Sequence, residues 1–216
     1  MIFVIVAPSF LTADFSKLDS EIQSIASSPW LHFDVMDGLF VPAKTYGPEM
    51  VARLQNVSTQ VFDVHLMVVE PEQCWEDYAQ AGADLITIHF EAVRAPLLEV
   101  IQTMKTTGVR VGLSVKPATP ITVLEPYLPW IDLVLVMSVE PGKGGQPFLP
   151  GALEKIKWLY AERSRQHLQF LIEVDGGINA STVHLVKAAG ADVIVVGSYL
   201  FNQTNRSAVI GELEHV

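Results

Sequence analysis

Short apolar runs rich in β-branched residues recur along the chain at about residues 2–6, 31–35, 61–66, 85–89, 110–115, 132–137, 170–174 and 193–197, and this recurrence constrains the fold more than any other feature. Between most of them the apolar residues change to helical spacing: Leu18, Ile22 and Ile25, then Met50 and Leu54, then Leu98, Ile101 and Met104, then Leu153, Ile156 and Leu159. Gly82, Gly108 and Gly190 fall where helices should stop, and Asn179 or Ser181 is placed to cap the helix after the seventh strand. The run Ala81-Gly82-Ala83-Asp84 returns as Ala189-Gly190-Ala191-Asp192, 108 residues later, which is half of the 216-residue chain. Eight strand–helix units of about 27 residues would set these two copies half-way round a small closed barrel. The expectation is an α/β fold, a (β/α)8 TIM barrel, with residues 1–216 as a single domain, because no linker or low-complexity tract interrupts the pattern. An open doubly wound sheet is the alternative, since alternation alone does not prove closure.

The composition suits strands covered on both faces: 50% of residues are hydrophobic, 18% are charged, and mean hydropathy is +0.32. Fourteen Lys and Arg against twenty-four Asp and Glu leave a net charge of −10, the wrong sign for binding nucleic acid or an anionic membrane. The one cysteine, Cys74, has no internal disulfide partner and no metal-spaced companion, so it reads as a packing residue in a reducing compartment. The apolar opening Met1 to Val6 is too short for a membrane span, lacks a preceding basic flank, and runs into Pro8 and Asp14 without a cleavage-type site. A soluble, cytoplasmic protein is expected.

In such a barrel the site lies at the C-terminal ends of the strands. Ser9 follows the first strand, His32 and Asp34 end the second, His65 the third, His89 the fourth, Met137 and Ser138 the sixth, Asp175 the seventh, and Gly197 and Ser198 the eighth. His32 and Asp34 are two apart, so they share a face, while Phe33 and Val35 point into the helix layer. With His65 and Asp175 they form two imidazoles and two carboxylates at one barrel mouth. Such a set suits Zn, Fe(II), Mn or Co, and the ligand types alone do not choose among them. Asp63 and Glu173, one layer deeper, are placed to orient the ligands. A barrel interior gains nothing from these charges unless a cation or substrate compensates them.

Glycine-rich turns form a second group: Pro141-Gly142-Lys143-Gly144-Gly145-Gln146, Asp175-Gly176-Gly177 and Gly197-Ser198. Glycines let backbone N–H groups approach phosphate oxygens, and the turns after the last strands are where barrels often hold an anion. Lys143 adds a local positive charge. Met36, Met67 and Met137 stand at or just beyond strand ends, where they would form a polarisable wall that excludes water. No partner for His89 is legible in the sequence.

Taken together, Ala7-Pro8-Ser9, His32-Phe33-Asp34-Val35-Met36-Asp37-Gly38, Phe40-Val41-Pro42, Asp63-Val64-His65-Leu66-Met67, the Ala-Gly-Ala-Asp run at 81–84, Pro117-Ala118-Thr119-Pro120, Met137-Ser138-Val139-Glu140-Pro141-Gly142, Gly144-Gly145-Gln146, Glu173-Val174-Asp175-Gly176-Gly177 and Gly197-Ser198 resemble the ribulose-phosphate 3-epimerase family over nearly the whole chain. The resemblance implies a ribulose-phosphate-binding barrel with one divalent metal ion held by His32, Asp34, His65 and Asp175. It implies an isomerase that interconverts D-ribulose 5-phosphate and D-xylulose 5-phosphate through a cis-enediolate stabilised by the metal. It further implies Asp34 and Asp175 as the two catalytic acid/base groups, which inversion requires because one fixed base reaches only one face of a planar intermediate. Ser9 and His65 would contact the sugar, and Gly142 to Gly145, Gly176, Gly177, Gly197 and Ser198 the phosphate. Members of the family form homo-oligomers, which implies the same here.

Two stretches depart from the family pattern. Where it commonly has Asn-Ile-Thr/Ser-x-Gly-Pro, this chain has Ala43-Lys44-Thr45-Tyr46-Gly47-Pro48, and Lys143 replaces an aromatic or Met. Both are expected to border the substrate and add positive charge, so D-allulose 6-phosphate is the alternative substrate. A phosphosugar-binding barrel without turnover is a further alternative. Decarboxylases and aldolases of related barrels carry Asp-x-Lys-x-x-Asp on strand three, where this chain has Asp63-Val64-His65, so that chemistry is not expected.

Overall fold

The computed structural model describes residues 4–215. Eight parallel strands form one sheet: β1 (Ile5–Pro8), β2 (Trp30–Met36), β3 (Val61–Met67), β4 (Leu85–His89), β5 (Arg110–Val115), β6 (Leu133–Met137), β7 (Leu171–Asp175) and β8 (Val193–Val196). Their order is β1-β8-β7-β6-β5-β4-β3-β2, and a parallel bridge from Ser9 to His32 joins the last pair and closes the ring. Closure decides against the open sheet. Residues 2 and 3 of the expected first strand lie outside the described residues, and the strand itself runs to Pro8 instead of ending at Val6.

Helices cross over between strands: α1 (Leu18–Ser24), α2 (Pro48–Leu54), α3 (Trp75–Gln80), α4 (Leu97–Thr106), α5 (Ala152–Gln166) and α6 (Val183–Ala189), with α7 (Ser198–Phe201) and α8 (Arg206–Glu214) after β8. The β5–β6 crossover departs from the (β/α)8 expectation. It is a 3-10 helix, Ile121–Trp130, because Pro126 and Pro129 lie inside it and remove the N–H groups an α-helix needs. On α4 the buried stripe is Leu97, Ile101 and Met104; Leu98 sits one step off it.

The period of two along each strand divides the core. Odd positions of β2, such as Leu31, Phe33 and Val35, join the layer between barrel and helices, whereas Trp30, Leu85, Leu133, Leu135, Val193 and Val195 fill the barrel interior. Above that apolar plug the inward positions turn polar: Asp63, His32, Glu173, Thr87, Ser114, His65 and His89 are each fully buried.

The internal echo is a device of the opposite, N-terminal face. Gly82 and Gly190 take left-handed φ values of 102° and 112° that end their helices. Asp84 then accepts the Phe62 N–H of β3 at 2.7 Å, and Asp192 accepts the Ile172 N–H of β7 at 2.8 Å. Asp132 does the same for Val111 of β5 at 2.8 Å. A strand-end carboxylate thereby pins the first turn of the preceding strand, which is a stability role proper to that end of a barrel.

Candidate active site

The strand register brings the expected ligands to one point. Asp34 lies opposite His65 in the β2–β3 pair, and His32 lies opposite Asp63. One ligand atom each from His32, Asp34, His65 and Asp175 lies within 4.8 Å of all the others. His32 Nε2 and His65 Nδ1 both face Asp34 Oδ1 at 3.5 Å. Neither nitrogen has a hydrogen-bond partner although both are buried. Two orphaned imidazole nitrogens aimed at one carboxylate oxygen leave buried lone pairs with nothing to satisfy them, and a divalent cation satisfies them all. The donor set fits such an ion.

Three of the four candidate ligands are held from behind. The Ser9 hydroxyl donates to Asp34 Oδ2 at 2.6 Å. His32 Nδ1–H donates to Asp63 Oδ2 at 2.6 Å, which leaves Nε2 as the free lone pair, and Glu173 Oε1 stands 3.8 Å from the same Nδ1. Asp63 thus occupies the orienting place expected of it, whereas both buried oxygens of Glu173 lack a hydrogen-bond partner. His65 Nε2 meets His89 Nε2 at 2.8 Å, so the imidazole without a legible partner packs directly behind a ligand. Sequence spacing could not reveal this pair, because it joins β3 to β4 through the barrel interior.

Burial and neighbouring charges set the protonation. Burial disfavours an ionised Asp34, but the imidazoles of His32 and His65 outweigh it and hold the carboxyl far below its usual range. Burial works against charge on His32 too, yet Asp63 and Asp34 raise its proton affinity, so a divalent ion competes with a proton for the Nε2 lone pair. For Asp175, burial and then the nearby Asp34 charge push the carboxyl up to about 7. Burial pushes His65 down.

Asp34 and Asp175 look into a cavity of about 380 Å³ at the mouth of the barrel. Ser9, Gly142, Lys143, Gly144, Gly145, Gly176, Gly177, Gly197 and Ser198 all line it, as do Met36, Met67 and Met137. His32 and His65 lie beneath its floor, fully buried. His65 does not line the cavity; its Nδ1 faces Asp34, which does. Gly142, Gly145, Gly176 and Gly177 have φ between 64° and 118°, a region other residues rarely adopt. A Cβ on Gly177 would stand 2.6 Å from the Phe148 backbone nitrogen. Gly144 and Gly145 approach Ser198 Oγ, so the turns after β6, β7 and β8 converge on one side of the cavity. The Ser138 hydroxyl ties two of them together by donating to the carbonyls of Asp175 and Gly176 at 2.8 and 2.7 Å.

The departures from the family pattern separate. Lys143 lines the cavity; Lys44 and Tyr46 do not. Tyr46 packs against the rings of Phe10, Phe15 and Phe33, outside β2, because its place in the sequence follows a turn that carries the chain over the helix layer. Thr45 between them has a site-supporting role, donating to the Asp34 carbonyl at 2.8 Å and accepting the Met36 N–H at 2.9 Å.

A closed eight-stranded barrel whose mouth gathers two His and two Asp that could hold a metal ion, beside converging glycine turns, defines the class of α/β barrel to which the chain is compared. The sequence profile of the ribulose-phosphate 3-epimerase family matches residues 5–201, and the chain belongs to this family. Among similar proteins, the ribulose-phosphate 3-epimerase of Treponema pallidum is 45% identical over 204 residues, 93% of either chain. That of Synechocystis is 44% identical over 96% of this chain and 91% of its own, and that of Bacillus subtilis 43% over 96% and 97%. Solved structures include 3-keto-L-gulonate-6-phosphate decarboxylase from Vibrio cholerae, with a TM-score of 0.71 at 12% identity over 99% of this chain and 96% of that one. A 3-hexulose-6-phosphate synthase superposes with a TM-score of 0.69 at 16% identity over 99% and 98%. At such identities these two share the fold alone. No helix among the described residues is long and apolar enough to cross a membrane.

Proposed function

We propose that the protein inverts C3 of a ketose phosphate, D-ribulose 5-phosphate to D-xylulose 5-phosphate, by two-base proton transfer. The observation that carries this reading is the pairing of Asp34 and Asp175 at the ends of β2 and β7, both open to one cavity, with burial and neighbouring charge pushing their proton affinities in opposite directions. Two carboxyls whose environments push their proton affinities apart are the pattern of an acid/base pair. Asp34, ionised and fixed by Ser9, takes the C3 proton from one face. Asp175, at the end of β7, returns a proton to the other face of the planar enediolate, and the roles exchange in the reverse direction.

His32, Asp34, His65 and Asp175 would hold one divalent ion, Zn, Fe(II), Mn or Co. When bound, such an ion supplies Lewis-acid stabilisation of charge on substrate oxygens. Met36, Met67 and Met137 keep the cavity wall apolar, which strengthens every charge interaction within it. The glycine turns at 142–145, 176–177 and 197–198, with Lys143, are assigned to the phosphate. Ser9 is assigned to both Asp34 and the sugar. The whole chain acts as one domain, on a soluble metabolite in the cytoplasm. A parallel assay of D-ribulose 5-phosphate and D-allulose 6-phosphate tests the substrate: faster turnover of the pentulose is expected, since Lys44 and Tyr46 leave the cavity unchanged, and preference for the hexulose would reverse the assignment.

A further inference from the structure

One buried polar chain behind the candidate metal centre has no part in proton transfer to the sugar. From His65 it passes to His89 at 2.8 Å between their Nε2 atoms, then from His89 Nδ1 to Glu91 Oε2 at 3.5 Å. Both imidazoles are fully buried. Apart from that 3.5 Å approach to each other, His89 Nδ1 and Glu91 Oε2 have no hydrogen-bond partner. The other carboxylate oxygen of Glu91 is anchored: it accepts the Lys116 N–H at 2.8 Å and the Thr119 hydroxyl. The carbonyls of those same two residues accept from Lys155 Nζ of α5 at 3.0 and 2.8 Å, so the turn after β5 is pinned as a holder for Glu91.

Two imidazole nitrogens that meet at 2.8 Å hold one proton between them. If His65 presents the Nδ1 lone pair toward Asp34, its proton sits on Nε2 and donates to His89 Nε2. His89 must then carry its own proton on Nδ1, aimed at the Glu91 carboxylate. The opposite arrangement places a proton on His65 Nδ1 and removes it as a ligand.

We infer that Glu91 and His89 are positioning residues that fix the tautomer of His65, and so decide whether its Nδ1 is available to a divalent ion. The inference rests on the metal-centre reading above. Partners of this kind behind a ligating His are typically worth about 10- to 100-fold in metal affinity.

The test is a Zn²⁺ and Mn²⁺ affinity titration against a competing chelator for the wild type, Glu91→Leu, His89→Leu and His89→Gln, with ¹⁵N-histidine NMR of the Zn²⁺-loaded wild type. Expected are roughly 10- to 100-fold weaker binding in both Leu variants and recovery of most of that loss in His89→Gln, whose amide oxygen again accepts from His65. The spectrum should show His65 protonated on Nε2 and His89 on Nδ1. Equal affinity in the wild type and both Leu variants, or a His89 protonated on Nε2, overturns this inference alone. If the wild type binds neither ion, the metal-centre reading falls and takes the inference with it. Should a Leu variant fail to fold, the wild-type spectrum still decides.

Discussion

Asp34 and Asp175 carry the proposed chemistry, and they are the residues at which it is most exposed to error. Asp34→Asn or Asp175→Asn should lower kcat by about 1,000-fold or more, with little change in circular dichroism, since general acid–base groups contribute about 100- to 10,000-fold. Turnover within tenfold of the wild type in either variant removes the two-base assignment. Protonation gives a second prediction. With burial and the Asp34 charge raising Asp175 to about 7, against an ordinary value of about 3.9, the folded metal-free protein binds this proton more tightly than the unfolded chain. The stability it contributes is full below about pH 4 and is lost as pH rises through about 7. A divalent ion must displace that proton, so affinity should fall as pH drops below 7. Calorimetry at pH 6 in buffers of different ionisation enthalpy should register at least one proton released per ion; no buffer dependence would contradict the assignment. At this scale the sequence was informative wherever parity along a strand decides direction, as for His32 and Asp34. It was silent on His89, whose partners are His65 on β3 and Glu91 just after β4. It also misplaced Tyr46, because a loop residue has no period from which to read its direction.

The elements that matter to substrate are the turns after β6, β7 and β8. Gly177 has a φ of 64°, and an added Cβ would stand 2.6 Å from the Phe148 backbone. Gly177→Ala should therefore displace the turn after β6, at a stability cost of about 1–3 kcal/mol, and raise KM for the sugar phosphate more than it lowers kcat. Gly151→Ala is the control, because a Cβ there meets nothing within 4 Å. An unchanged KM in Gly177→Ala would separate these turns from phosphate binding. Strand boundaries were legible to within one or two residues for β2 to β8, since apolar β-branched runs end where polar strand ends begin. The β5–β6 crossover was not anticipated as a 3-10 helix, although Pro126 and Pro129 stand in the sequence; long-range packing of Leu124 and Leu128 gives the segment its place, and the prolines only limit its form.

For the whole molecule, closure of the sheet turns a list of strand-end residues into a site. The Ser9–His32 bridge that closes the ring also delivers the Ser9 hydroxyl to Asp34. Carboxyl groups of Asp34, Asp63, Glu173 and Asp175 crowd the imidazoles of His32 and His65, and a divalent ion relieves the mutual repulsion of those that ionise. Chelation should consequently lower the melting temperature by several degrees, and Zn²⁺ or Mn²⁺ should restore it, as binding to the native state alone requires. A melting temperature indifferent to chelator and metal would mean that the cluster is stable by itself. The fold was legible in the sequence because eight strand units, the glycine stops and the echo at 81–84 and 189–192 all agree; the closing bridge itself, from Ser9 to His32 of β2, leaves no sequence signature. The most direct test of the account is the conversion of D-ribulose 5-phosphate in deuterated water, followed by NMR with and without chelator. The account predicts deuterium at C3 of the xylulose 5-phosphate formed, abolished by chelator and by Asp34→Asn. Product formed without deuterium at C3, or at the same rate with chelator present, would contradict it.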